Sequence, residues 1–108
     1  GGKEEKPKEE LILEELCGRN RGKRTFSITP TYPVILNVDE VTAIAKGKGF
    51  VVENLGDLGL SMRTDDLSVS FMKRGSAVLV GAKDETEATL LYKHLLGVKS
   101  IITDHQNA

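Results

Sequence analysis

The chain has 108 residues and a net charge of −1, from 15 basic and 16 acidic side chains, and 39% of its residues are hydrophobic. This length predicts one domain, and no apolar run approaches the ~20 residues of a membrane-spanning helix. We therefore expect a cytoplasmic protein with no membrane partner. The single cysteine, Cys17, excludes an internal disulfide framework and a zinc site with several thiolates from this chain alone.

The start of the chain is rich in charge: residues 1–15 hold three lysines and six glutamates, a net charge of −3. We predict a flexible lead-in over residues 1–15, one domain over 16–102 and a loose polar tail over 103–108. The leucine-rich stretch Leu11–Leu16 is interpreted as a short helix that stops at Gly18, or as a linker that docks on the domain.

Two elements are predicted in the next part of the chain. The period-two alternation of Thr25–Thr29 indicates a strand with one apolar face. A helix follows, with Asn37 or Asp39 as its N-cap, because a short oxygen-bearing side chain can accept from the free amides of the first turn. Gly47 and Gly49 are expected to end this helix.

The middle of the chain is β-prone. Residues 50–54 and 58–63 are interpreted as two strands, or as the two halves of one strand bent at Gly56. Two further alternating runs, 67–72 and 77–80, flank a turn and predict an antiparallel hairpin.

The last predicted helix begins with a capping box. Asp84 and Glu87 have the required spacing, and Gly97 is expected to end the helix. The β-prone residues Val98–Ile102 are interpreted as an added edge strand. The order of elements predicts an α+β domain, in which two helices pack on one face of an antiparallel sheet of about four strands.

Cys17 and the basic loop beside it are the main candidates for chemistry. The loop contains four cations: Arg19, Arg21, Lys23 and Arg24. These cations favour the thiolate of Cys17, which makes it a candidate reactive thiol. The alternatives are an inert half-buried residue and a zinc ligand whose partners lie outside the chain. The loop itself is a candidate partner-binding surface, but no aromatic residue alternates with its cations, which disfavours nucleic acid.

Other polar residues have simpler structural interpretations. His94 is expected near the end of the second helix, where a cation interacts well with the helix dipole, and His105 lies in the polar tail. Asp57, Asp65 and Asp66 are interpreted as turn residues in preference to cation ligands. The chain contains no phosphate-binding glycine motif, and we assign no catalytic residue.

Several short motifs are spread over about three quarters of the chain, between Leu16 and Gly97. They are Leu16-Cys17-Gly18-Arg19-Asn20, Ile28-Thr29-Pro30, Asp39-Glu40-Val41, Lys73-Arg74-Gly75, Gly81–Ala88, Leu91-Tyr92 and Leu96-Gly97. In combination they resemble the C-terminal segment of ThiF/MoeB/HesA-type adenylyltransferases, the prokaryotic relatives of ubiquitin-activating enzymes.

The resemblance implies a function in sulfur transfer. Such enzymes use ATP and magnesium to adenylate the C-terminal Gly-Gly of a ubiquitin-like sulfur carrier of the ThiS or MoaD type, and the family's paired Cys-x-x-Cys motifs are zinc motifs. This chain lacks the nucleotide-binding Rossmann part and the paired cysteine motifs. The resemblance therefore implies an accessory domain without catalysis or cofactor of its own.

The partners implied are the sulfur carrier and the adenylation domain of the same parent chain. The partner-binding residues expected on this domain are Arg19, Arg21, Lys23 and Arg24. The alternative hypothesis is a small stand-alone module that binds nucleic acid or transfers a thiol-bound group.

Overall fold

The computed structural model describes residues 11–20, 22–31 and 34–96, with the backbone alone described at 17–20. Within these ranges the chain forms six strands and two helices. They are β1 (Leu11–Asn20), β2 (Lys23–Pro30), α1 (Val38–Gly47), β3 (Val51–Asn54), β4 (Leu60–Arg63), β5 (Ser68–Phe71), β6 (Ala77–Val80) and α2 (Glu85–Leu96). A short 3-10 turn at Gly56–Leu58 joins β3 to β4. The predicted α+β class with two helices is confirmed.

All six strands belong to one antiparallel sheet with the order β1-β2-β6-β5-β4-β3. The predicted number of about four strands was low for two reasons. Residues 50–63 form two separate strands, β3 and β4, divided by the 3-10 turn. In addition, β1 extends the sheet beyond β2. The predicted hairpin over residues 67–80 is present as β5 and β6.

The structure corrects the interpretation of Leu11–Leu16. This stretch is the first part of β1 and not a helix, and residues 11–15 therefore belong to the sheet and not to a flexible lead-in. Leu13 lies opposite Ile28 of β2, and both Leu11 and Leu13 pack against the core. Pairing with β2 places these two leucines on the apolar face of the sheet. A short isolated helix would leave both leucines largely exposed.

One face of the sheet forms the core with the two helices. Alternate residues of β2, β6, β5 and β4 are buried there, together with one side of each helix. The fully buried members with large side chains are Tyr92, Phe26, Phe71, Ile28, Leu60, Met62, Leu79, Leu95, Val41 and Val69. Helix α2 contacts β1 and β2, α1 contacts β3, and the helices contact each other. The predicted packing of both helices on one face is confirmed.

Both helices begin with side-chain caps. The side chain of Asn37 accepts from the amide of Glu40 at 3.0 Å, so Asn37 and not Asp39 is the N-cap of α1. At α2 the Asp84 carboxylate accepts from the amide of Glu87 at 2.9 Å, while Glu87 accepts in return from the amide of Lys83 at 2.6 Å. The predicted capping box is confirmed. Its second bond, from Glu87, binds the amide of Lys83, one residue before the N-cap Asp84.

The predictions for the C-terminal part of the chain concern residues beyond Leu96, the last residue of α2. Gly97, Val98–Ile102 and the tail over 103–108 lie outside the described residues.

Two glycines allow the strands to come close together where they turn. Gly59 precedes β4 with φ +121°, and a Cβ there would collide with the carbonyl oxygen of Phe71. Gly81 follows β6 with φ +106°, and a Cβ there would collide with the carbonyl oxygen of Asp66. Only a residue without a side chain fits these positions, because both the space and the backbone conformation exclude others.

Candidate partner-binding surfaces

The β1–β2 hairpin contains a bulge that holds the predicted thiol. Leu16 lies opposite Thr25 and Asn20 opposite Lys23, so the backbone of the three residues from 17 to 19 faces one residue of β2. A bulge of this kind bends the strand and increases its twist. The side chain of Cys17 lies outside the described residues, and its reactivity stays a prediction.

The predicted basic loop is for the most part not a loop, because Arg19 belongs to β1 and Lys23 and Arg24 belong to β2. Arg24, one of the predicted partner-binding residues, is bonded within the domain. Its Nε and Nη2 donate to the two carboxylate oxygens of Glu15 on β1, each at 2.9 Å, and its Nη1 donates to the carbonyl oxygen of Lys83 at 2.7 Å. The guanidinium also lies 5.2 Å from the centre of the Phe26 ring. Arg24 therefore connects β1 to the loop that leads into α2.

The electrostatics of Arg24 agree with this structural role. Its hydrogen bonds to Glu15 raise the pKa of the guanidinium above its ordinary value, and the charges of Asp84 and Glu85 act in the same direction. A planar guanidinium with two parallel bonds to one carboxylate is held in a defined orientation. Such a group is poorly suited to reorient toward a partner.

Of the other three predicted cations, only Lys23 has a side chain that the structure describes. Lys23 donates from Nζ to the carbonyl oxygen of Asp66 at 3.2 Å. The side chains of Arg19 and Arg21 lie outside the described residues. An open groove of about 580 Å³ runs past Lys23, Arg24, Lys83, Asp66 and Glu87, and so carries both signs of charge. Partner binding by the basic loop stays a prediction.

An apolar surface that the sequence did not indicate lies at one end of the sheet. Four large side chains are exposed there: Ile35 at 66%, Leu55 at 38%, Leu58 at 72% and Met72 at 40%. We call these four residues the end patch. They come from three different connections: Ile35 precedes α1, Leu55 and Leu58 both lie between β3 and β4, and Met72 follows β5. No periodic pattern therefore joins them. The only local signal is the alternation at Ile35, whose neighbours Val34 and Leu36 are both buried.

Backbone contacts bring the members of the end patch to the same end of the molecule. The amide of Leu36 donates to the carbonyl of Lys73 at 3.4 Å, which places Ile35 beside the β5–β6 turn. The amide of Leu55 donates to the carbonyl of Gly59 at 2.8 Å, and Gly59 packs against the backbone of Met72. The end patch is therefore a product of tertiary structure.

The sheet face opposite the helices is the second distinctive surface, which we call the open face. Its members alternate with the buried residues of each strand, and most of them are half-buried. On the three strands nearest the centre they are Thr25, Ser27, Thr29, Val78, Val80, Ser68 and Ser70. Neither helix covers this surface, because both pack on the other side.

The buried tyrosine has a structural role. The Tyr92 hydroxyl donates to the carbonyl oxygen of Gly75 at 2.6 Å, and its ring stacks on Phe71 with centroids 5.5 Å apart. Burial raises the pKa of Tyr92 to about 12. The phenol therefore stays protonated at neutral pH and joins α2 to the β5–β6 turn.

The remaining candidate ligands are placed mostly as expected. His94 lies in the last turn of α2 and borders a groove of about 460 Å³ with Leu67 and Leu90. Asp57 pairs with Lys73 at 3.9 Å, and Asp66 lies in a turn where its amide donates to the Thr64 hydroxyl. Within the described ranges, no three His, Cys, Asp or Glu residues are grouped so that they could hold a metal ion.

Comparison with known proteins adds no relative: no family model, curated protein or solved structure matches the chain. Neither of the two helices that the structure describes is long and apolar enough to cross a membrane.

Proposed function

We propose that this chain is an accessory docking domain of a ThiF/MoeB/HesA-type adenylyltransferase, and that its end patch binds the ubiquitin-like sulfur carrier. The observation that carries the docking function is the concentration of exposed apolar side chains in the end patch. The parentage rests on the sequence motifs between Leu16 and Gly97. In this proposal ATP and magnesium bind to the adenylation domain of the parent chain, and this domain supplies no catalytic group.

The end patch has the properties of a protein-binding surface. Single exposed apolar residues are common on proteins, whereas large exposed apolar patches mark interaction sites. The end patch brings four exposed apolar side chains to the same end of the sheet. Burying a side chain such as Leu58 or Ile35 contributes roughly 1.5–3 kcal/mol. Two such anchors account for a large share of a micromolar affinity, which is about 8 kcal/mol.

Polar groups around the end patch would orient the partner. The Asp57–Lys73 pair lies beside Leu58 and Met72, and its atoms are largely exposed. A rim of this kind contributes little affinity but opposes wrong orientations. The edge strand β3 ends at Asn54, directly before Leu55, so a carrier strand could pair with it while apolar side chains fill the end patch.

The basic loop fits this function less well than the end patch. The described cations Lys23 and Arg24 are both bonded inside the domain, and acidic groups share their groove. This arrangement also weakens the alternative of a nucleic-acid module, because phosphate contacts need cations that face outward.

The test is an NMR titration of the ¹⁵N-labelled chain with a ThiS- or MoaD-type carrier. We expect shift changes at the amides of the end patch, and at least a tenfold loss of affinity in Leu58→Ser. The matched control is Leu90→Ser, because Leu90 is 61% exposed on α2, outside the end patch. An absence of shifts at millimolar carrier would refute the docking function.

Two further outcomes bear on the proposal. ATP hydrolysis or exchange by the isolated chain would overturn its description as non-catalytic. RNA binding that falls steeply with salt and is lost in Lys23→Ala would favour the nucleic-acid alternative instead.

A further inference from the structure

The outer edge of β3 carries backbone groups whose directions follow from the strand register. The amide of Leu55 donates to the carbonyl of Gly59 at 2.8 Å, so these two residues form a bonded pair that continues the β3–β4 ladder. Bonded and non-bonded pairs alternate in an antiparallel ladder, which directs the amides and carbonyls of Val52 and Asn54 away from β4. β3 is the last strand of the sheet, so no strand among the described residues faces these groups.

The neighbouring residues define the length of this free edge. At its start the Phe50 amide donates to the carbonyl of Ala45 in the last turn of α1 at 3.0 Å, so that position is already bonded. At its end the side chain of Asn54 accepts from the amide of Gly56 at 2.8 Å, and the chain leaves the sheet in the 3-10 turn. The edge therefore offers a partner the outward amides and carbonyls of Val52 and Asn54.

The two edges of the sheet differ in their protection against strand addition. Native edge strands are protected by bulges and by charged side chains. The edge strand β1 has both features, since it is bulged after Leu16 and carries Glu14 and Glu15. β3 is as long as its neighbour β4, pairs in an unbroken register, contains Glu53 as its one charged residue and exposes 62% of Val51. It therefore accepts a further strand more readily than β1 does.

The free edge of β3 is continuous with the end patch. Leu55 follows Asn54 directly, and Leu58, which is 72% exposed, lies three residues further on. A segment that is paired with Asn54 therefore places its adjoining residues beside these leucines. In strand addition the main-chain hydrogen bonds supply affinity, and the side chains that find apolar contacts supply specificity. Both contributions are available at this corner of the sheet.

From these observations we infer that the sulfur carrier binds by strand addition. An extended segment of the carrier pairs with the outward backbone groups of Val52 and Asn54 and adds one strand to the six-stranded sheet. The adjoining residues of that segment are apolar and lie on the end patch. The residue beside Glu53 is uncharged or basic, because like charges on neighbouring strands are destabilising. This inference rests on the proposed function and adds the backbone contacts and the chemistry of the bound segment.

Amide hydrogen exchange tests the pairing, with the ¹⁵N-labelled chain alone and with a saturating ThiS- or MoaD-type carrier. In the free chain the amides of Val52 and Asn54 should exchange fast and those of Val51 and Glu53 slowly, because only the latter pair bonds to β4. In the complex we expect exchange at Val52 and Asn54 to slow at least tenfold. Unchanged exchange at these two amides, together with shifts at the end patch, would refute strand addition and leave the proposed function intact.

A matched pair of variants at Asn54 isolates one backbone donor. Asn54→Pro removes the outward amide, which an edge position tolerates, whereas Asn54→Ala keeps this amide and loses the same side-chain bond to Gly56. We expect the carrier to bind Asn54→Pro about fivefold more weakly than Asn54→Ala, which is the effect of one backbone hydrogen bond. Thermal unfolding identifies a variant that has lost its fold, and equal affinities of the two folded variants would contradict the inference.

Two other outcomes would each overturn the inference in a different way. An absence of shifts at millimolar carrier would remove the proposed function and the strand addition together. Slow exchange at Val52 and Asn54 in the concentrated free chain, lost on dilution, would show that a second copy of the chain occupies β3. The carrier would then not be the occupant of this edge.

Discussion

Tyr92→Phe is the most informative single substitution in the core. It keeps the ring that stacks on Phe71 and removes only the hydroxyl that donates to Gly75. The side chain is fully buried, so water cannot replace the lost donor and the carbonyl is left without this partner. A buried polar group that loses its partner costs roughly 1–3 kcal/mol, and we expect the free energy of unfolding to fall by about this amount.

The raised pKa of Tyr92 predicts that Tyr92→Phe also changes how the stability depends on pH. Below pH 10 the phenol is protonated in both the folded and the unfolded chain. Between pH 10 and about 12 it ionises only in the unfolded chain, because burial raises the folded pKa to about 12. Stability therefore falls by about 1.4 kcal/mol for each pH unit in this window. This part of the alkaline loss should be absent in Tyr92→Phe.

Two measurements test the reasoning. Urea unfolding at pH 7 gives the change in free energy, and ultraviolet absorbance near 295 nm follows tyrosine ionisation during an alkaline titration. The matched control is Tyr32→Phe, because Tyr32 is the only other tyrosine. A Tyr92 that titrates near pH 10 in the folded chain, or a Tyr92→Phe variant as stable as the parent, would refute a buried and bonded phenol.

Three further predictions concern local geometry. Gly81→Ala should lower the free energy of unfolding by about 1–3 kcal/mol from backbone strain alone, measured by urea unfolding. Gly47→Ala is its control, since its Cβ would meet nothing within 4 Å and it should change stability by less than about 1 kcal/mol. Asn37→Ala should cost about 1 kcal/mol in the same assay because it removes the cap of α1, and an unchanged value would contradict that role. Arg24→Lys removes the paired bonds to Glu15, so amide hydrogen exchange in β1 should accelerate several-fold while exchange in β6 stays unchanged. Equal exchange in β1 would show that Arg24 does not hold this strand.

The predictions that the structure confirms depend on contacts between near neighbours in sequence. The caps at Asn37 and Asp84 each bind an amide three residues further on, so the residue types and their spacing suffice to find them. The hairpin of β5 and β6 is joined by one short turn, and its alternation alone indicates which side is buried. Because these contacts join residues close in the chain, few other local conformations fit the same sequence pattern.

Leu11–Leu16 shows where local patterns become ambiguous. Its apolar residues and glutamates suit either an amphipathic turn of helix or the edge of a sheet. The decision comes from β2, which is reached after a turn and places Ile28 opposite Leu13. The same holds for the pairing of β2 with β6, whose partners Phe26 and Leu79 are far apart in sequence.

The candidate binding surfaces show the same division between local and tertiary information. The amino-acid sequence by itself determined the α+β class, the helix starts, the central hairpin and the positions that face the core, because 3.6-residue and two-residue periods and caps act over a few residues. Only the tertiary structure decided the strand order, the internal bonding of Arg24 and the end patch. These features depend on groups that are distant in the chain. Such groups come together only when the strands pair and the sheet packs against its helices.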